Sequence, residues 1–219
     1  MSEPYENDKT IEFTYSSQSV KHIAILGEIG TYCTKGTILD ILQFGETTVL
    51  KSLGNMLSHL DASNKNMQNV TALDGFKSSK LEVIDSYTFL GIPLDKLPSD
   101  LETWDVTNVT SLKNFLSGRT DFNKNLSAWK TPHLNNITGT FNQLTTIPFN
   151  IDNWDFSNVL IGDSVFKGLN LSNVDLSKLK FTQMLTADYM YQNTIGISKF
   201  NLQAANNTSS ITTAIGLFK

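Results

Sequence analysis

Apolar residues return every 25 positions through the second half of this 219-residue chain. Trp104, Trp129 and Trp154 form one column, and the next step reaches Leu179. Leu101, Leu126, Ile151 and Leu176 form a second. Val109, Leu134, Val159 and Met184 form a third, continued at Ile211 after a step of 27 residues. Leu116, Phe141, Phe166 and Tyr191 form a fourth, continued at Phe218 by the same 27. Val106, Thr131, Phe156 and Phe181 make a looser fifth. Columns that hold register through four or five copies are a structural repeat, and they frame every other feature of the chain.

Within one unit the apolar period changes. Around Leu101–Val106 the pattern is extended, with Trp104 and Val106 two apart on one face. Val109, Leu112, Phe115 and Leu116 then follow at i, i+3, i+6 and i+7, the spacing of a helical face. Thr110 or Ser111 is placed to cap that helix, and Gly118 to end it in a left-handed conformation. Each unit therefore predicts a strand, a tight polar corner, a short helix and a loop. A Trp-Asp dipeptide brings a propeller to mind, but a propeller blade needs ~40–45 residues. Twenty-five suit one short strand and one short helix stacked as an α+β solenoid.

Upstream the echoes are weaker. Asn69–Phe76 matches Asn108–Phe115 at its key positions; Leu81, Ile84, Tyr87 and Leu90 give an intermediate turn, and 49–57 an earlier one. Thr10–Tyr15 alternates as a strand should, and 22–26 is a second strand candidate. The expected organisation is an N-terminal β cap over 1–46 and a repeat solenoid over 47–219, regular from about residue 97.

The strings Glu102-Thr-Trp-Asp-Val-Thr-Asn-Val109 and Asp152-Asn-Trp-Asp-Phe-Ser-Asn-Val159 place Asp105, Asn108, Asp155 and Asn158 at the predicted corners. Short amides and carboxylates there bond nearby backbone as Asx-turns and can bridge consecutive corners. A catalytic or metal-binding use is the alternative. Against it, Lys130 occupies the Asp position of the intervening unit, a swap that shared chemistry would not tolerate.

The string W-D-V-T-N-V-T-x-L-x-x-F from Trp104, with Phe122-Asn-Lys-Asn-Leu-Ser-Ala-Trp129 and Phe149-Asn-Ile-Asp-Asn-Trp154, resembles the BspA-like surface-protein repeats, a divergent leucine-rich-repeat type of roughly 25 residues. The segment 41–45 followed by 50–53 resembles their opening segment. The match covers about 97–170, and departs from the pattern at Lys130 and at Leu179. The resemblance implies a leucine-rich-repeat-like solenoid with a binding or packing role, and no catalytic residues.

Composition narrows the partners. The net charge is −4, from 17 basic and 21 acidic residues, and Arg119 is the sole arginine; nucleic-acid binders carry a basic Arg/Lys patch, so no nucleic acid is expected. The lone cysteine, Cys33, permits no intramolecular disulfide, which fits a reducing compartment. The start, MSEPYENDKT, lacks the basic and apolar segments of a signal peptide, and no run of ~18 apolar residues predicts a membrane span. An intracellular or virion location is therefore favoured over a secreted one.

No catalytic, cofactor or metal site is expected. His22, His59 and His133 lack ligand spacing, and no phosphate loop, zinc-protease or nucleophile-elbow motif occurs. Asp121-Phe-Asn-Lys-Asn125 opens like a calcium loop, but Leu126 stands where the glycine belongs and Pro132 where the closing Glu belongs.

The C-terminal turn, with Ile211, Ile215, Leu217 and Phe218, lacks the polar capping unit that solenoids need. It is the candidate interface, together with the N-terminal tail, for other protein subunits. The expected function is non-enzymatic: protein–protein contacts as a structural component of a larger assembly, a virion being one version. A cell-surface adhesin or host-binding module is the alternative.

Overall fold

The computed structural model describes residues 23–25, 28–29, 41–44, 49–50, 53, 78–85, 88–89, 92, 94–197 and 211–219. Four short strands stand near its start: β1 (Ile23–Ile25), β2 (Glu28–Ile29), β3 (Ile41–Phe44) and β4 (Val49–Leu50). They pair in parallel, β1 with β3 and β2 with β4, as two separate two-stranded sheets. Thr10–Tyr15, Asn69–Phe76, Cys33, His22, His59 and the N-terminal tail lie outside the described residues.

The expected α+β solenoid of short strands and short helices, with an N-terminal β cap, is corrected. Among the described residues there is no α-helix, and helical structure is limited to three-residue 3-10 segments such as Leu101–Thr103 and Leu176–Lys178. No strand follows Leu50 among the described residues; the later units touch through isolated single-residue bridges. Among the described residues no one cap sheet forms either, since β1–β4 divide into two pairs and β4 falls beyond the cap's predicted limit.

The helix is lost because left-handed residues interrupt it twice per unit. Asn114, Gly139, Ser164 and Tyr189 all have positive φ, between 54° and 60°. Four residues further on, Gly118, Gln143, Gly168 and Asn193 do as well, between 56° and 77°. Each lies in a four-residue turn: Phe115 N–H donates to the Leu112 carbonyl and Arg119 N–H to the Leu116 carbonyl (both 3.0 Å). A positive φ at the third turn position with a 1→4 bond is the signature of a type II turn. Two such turns, four residues apart, reproduce the i, i+3, i+7 apolar spacing of a helix without its bonds.

The backbone amides that a helix would satisfy internally go instead to the neighbouring unit. Leu112, Asn114, Leu116 and Gly118 donate to the carbonyls of Asn136, Thr138, Thr140 and Asn142 at 2.8–3.0 Å. The same alternate-residue set recurs from Ile137–Gln143 to Ile161–Lys167, from 162–168 to 186–192, and from 187–193 to 213–219. Parallel bridges follow this step, Ser111 to Asn136 to Ile161 to Thr186 to Thr213.

Side chains follow the same register. Phe141 lies against Phe166 (6.0 Å between centroids, 15°), Phe166 against Tyr191 (5.5 Å, 15°) and Tyr191 against Phe218 (5.5 Å, 11°). These offset aromatic pairs add attraction beyond their burial. One continuous hydrophobic cluster runs from Leu53 to Tyr191.

Candidate interaction surface

The apolar columns are internal. Trp104, Trp129 and Trp154 are buried, as are Leu101, Leu126, Ile151 and Leu176 and the set Leu116, Phe141, Phe166 and Tyr191. Buried indoles need an acceptor. Trp129 Nε1 donates to the Leu101 carbonyl and Trp154 Nε1 to the Leu126 carbonyl, both at 3.0 Å. Trp104 donates to Asp100 Oδ1 at 2.9 Å. Burial of the Tyr191 phenol pushes its pKa well above the usual tyrosine value.

The corner residues are bound up in backbone. Asp105 Oδ1 accepts from Thr107 Oγ1 (2.6 Å) and Thr107 N–H (3.0 Å), which hold its carboxyl below the ordinary range. Asp155 Oδ1 accepts from Ser157 N–H at 2.8 Å. Asn108 Nδ2 donates to the Ser79 carbonyl and Asn158 Nδ2 to the Pro132 carbonyl, both 2.8 Å and both in the preceding unit. The carboxylates make Asx-turns within a unit, and the amides tie one unit to the next.

The Asp105 column has an order of its own. Asp105, Lys130, Asp155 and Lys180 are exposed, one per unit, with alternating sign. Like charges directly opposite each other destabilise a ladder, and the alternation keeps them two units apart. Lys130 fits as the charge that separates two carboxylates.

Asp121 and Asn125, the head of the calcium-like loop, are turned elsewhere. Asp121 pairs with Arg119 through both carboxylate oxygens (3.0 and 3.2 Å), and Asn125 Oδ1 accepts from Ser127 N–H and Oγ. Among the described residues no group of three or more His, Cys, Asp or Glu gathers to hold a metal, and no helix is long and apolar enough to cross a membrane.

Arg119 is the residue that the repeat pattern conceals. It is only 3% exposed. Its Nη1 donates to the Phe89 carbonyl and to the Ile92 carbonyl, the latter at 2.7 Å. It thus clasps an upstream loop to the regular units. Its sequence signal is its solitude, one arginine beside sixteen lysines, with Asp121 two residues on. A planar guanidinium can satisfy two carbonyls and a carboxylate at once, which an ammonium does poorly.

The C-terminal turn carries the apolar exposure. Ile215 is 59% exposed and Phe218 54%, while Ile211 and Leu217 are half-buried, Leu217 against the core. Three further residues belong beside them: Leu185, Tyr189 and Ile195, exposed by 39%, 39% and 64%. All the exposed large hydrophobics among the described residues thus fall between Leu185 and Phe218. Their signal in the sequence is a break in column character, since Tyr189 follows Asn114, Gly139 and Ser164, and Ile195 follows Thr145 and Asn170.

Comparison with characterised proteins and with solved structures finds no match. A protein-family model does match, over residues 86–207, at a coarser level than the BspA-like resemblance. That span covers more than half of the chain and takes in all the regular units up to the last turn. The chain belongs to the family described as Mycoplasma protein of unknown function, DUF285.

Proposed function

We propose that this protein is a non-enzymatic repeat module that makes protein–protein contacts as a structural component of a larger assembly. The observation that carries the reading is that Leu185, Tyr189, Ile195, Ile215 and Phe218 are all the exposed large hydrophobics among the described residues and fall within the last two described units. Clustered exposed apolar side chains mark interaction sites. The corner carboxylates add support, because Asp105 and Asp155 spend their lone pairs on Thr107 and Ser157.

A cell-surface adhesin or host-binding module is the second reading, and family membership favours it. The family is described from Mycoplasma, and the repeats resemble those of BspA-like surface proteins. The same contacts would then face outward from a cell, and the virion version falls away.

Cross-linking mass spectrometry in cells that express the chain tests both. Cross-links from Lys219, beside the apolar turn, to identified proteins are expected. Intrachain cross-links alone, at every exposed lysine, would overturn the contact-making reading. Protease treatment of intact cells separates the two settings: cleavage favours the surface module, protection the internal assembly.

A further inference from the structure

The exposed column of alternating charge is only partly explained by the stack that carries it. Asp105, Lys130, Asp155 and Lys180 stand in four consecutive units, and among the described residues none of them forms an ion pair. Exposed positions flank the column on both sides, at 103, 128, 153 and 178 and at 108, 133, 158 and 183. Among Asp, Glu, Lys and Arg they add only Lys178, which is held by Asp152 at 2.5 Å. None of the exposed large hydrophobics belongs to this face. What the face offers a partner is therefore an order of signs: minus, plus, minus, plus.

That order is its own complement when reversed. Two copies can set this face together about either of two two-fold axes lying in it. An axis along the stack brings each unit opposite its own counterpart, so Asp105 meets Asp105 and Lys130 meets Lys130. An axis across the stack, between the units of Lys130 and Asp155, reverses the order. Asp105 then meets Lys180 and Lys130 meets Asp155, each pair twice, as a two-fold interface requires. All four contacts are attractive, and Lys178 falls opposite Thr103. We propose that this face pairs two copies of the chain with their stacks antiparallel, held by these four Asp–Lys contacts. The proposal goes beyond the function above, which rests on the apolar side chains, and names the chain itself as a partner. The face is small. Four units at ~4.8 Å each and the extended stretch from 103 to 108 at ~3.3 Å a residue give about 300 Å² on each copy. That is less than a stable dimer buries, and exposed ion pairs are individually weak. The pairing is thus weak and salt-dependent, suited to copies already crowded in one assembly.

Sedimentation equilibrium on the full chain tests it. At low salt the average mass is expected to climb with concentration toward that of two 24.4 kDa chains and no further; molar salt should return it to one. Lys130→Asp sets a carboxylate opposite Asp155 twice per dimer, and should raise the concentration needed for pairing about tenfold. Adding Asp155→Lys gives the order minus, minus, plus, plus, which is again complementary on reversal, and should restore pairing to the native range. The swap puts like charges in adjacent units of one chain, so recovery reports on the interface and not on the stack. Asp105→Lys with Lys180→Asp makes the same swap at the outer contacts, should the inner one fail to give a cooperative circular dichroism melt. A native chain that stays monomeric at low salt would overturn the inference. So would a dimer indifferent to both salt and Lys130→Asp, or a folded swap variant that stays monomeric. A native monomer that still cross-links to other proteins in cells sinks the self-pairing and leaves the proposed function standing.

Discussion

The rings of Trp129 and Trp154 lie 5.7 Å apart at an interplanar angle of 15°, and each indole bonds a carbonyl 28 residues upstream. The pair thus joins three units at once: two through the rings and a third through the Leu101 carbonyl. Truncation of Trp129 to Ala should cost about 3–5 kcal/mol, as for other large aromatic cores. Trp129→Phe keeps an apolar ring but removes the indole bond to the Leu101 carbonyl, which still accepts from the Trp104 N–H, and should cost about 0.5–1.5 kcal/mol. Urea denaturation measures both; a Trp129→Phe variant as stable as the native chain would mean that the indole bond contributes nothing.

Two glycines with similar backbone should respond differently to a methyl group. Gly168 has φ +77° and open space where a Cβ would stand, so Gly168→Ala meets only the left-handed penalty, about 1–2 kcal/mol. Gly196 has φ +74°, and a Cβ there would lie 2.8 Å from the Ser172 backbone nitrogen and 2.2 Å from Ser172 Oγ. Ser172 is itself held by Asn170 Oδ1, so it cannot simply move aside. Gly196→Ala should lower the melting temperature clearly more than Gly168→Ala.

Arg119 is a buried cation that two carbonyls and one carboxylate share. Arg119→Ala removes a donor from the Ile92 carbonyl and one of two donors from the Phe89 carbonyl, a loss of about 1–3 kcal/mol. Asp121 keeps 54% of its side chain in solvent, so most of the loss should come from the Phe89 and Ile92 carbonyls. Asp121→Asn should accordingly be mild in the same thermal melts, and a severe effect would assign the clasp to the ion pair instead.

Two groups give opposite pH responses. The folded pKa of Asp105 is lowered by its Thr107 bonds, so its contribution is present above the ordinary value of 3.8 and is lost as acid protonates it below that value. Asp105→Asn keeps an acceptor for Thr107 and should flatten that acid limb while leaving neutral-pH stability and partner binding nearly intact. The folded pKa of Tyr191 is raised by burial. Its contribution is full below the unfolded value of 10.0 and drains away as pH rises above it. Tyr191→Phe should remove the alkaline limb in melts carried from neutral pH to above that value.

The 25-residue register was legible in the chain because burial demands it: Trp104, Trp129 and Trp154 must recur where the interior recurs. The absence of the helix was not legible. Val109, Leu112, Phe115 and Leu116 point inward at helical spacing, and two consecutive turns of type II geometry point them inward equally well. The discriminating signal lay in the positions between. Asn114 and Gly139, or Gly118 and Gly168, are residues that tolerate left-handed backbone. Gln143 and Tyr189 share that conformation without that tolerance, which hides the column. The polar corners read correctly as Asx-turn formers at Asp105 and Asp155, because their partners lie two residues away. Arg119 did not, because its acceptors, Phe89 and Ile92, lie 30 and 27 residues off in an irregular segment.

The amide bonds that link each unit to the next give the protein a mechanical grain. Among the described residues each late unit is bonded to its neighbours alone, so tension applied at Lys219 loads one interval before the next. The chain should peel in steps, each freeing about 25 residues and thus at most about 80–90 Å of contour length. A force–extension trace would then show evenly spaced drops, with the first one wider by the two extra residues between Thr186 and Thr213. A protein on an exposed surface would yield to shear in small reversible increments and keep the rest of its units in place.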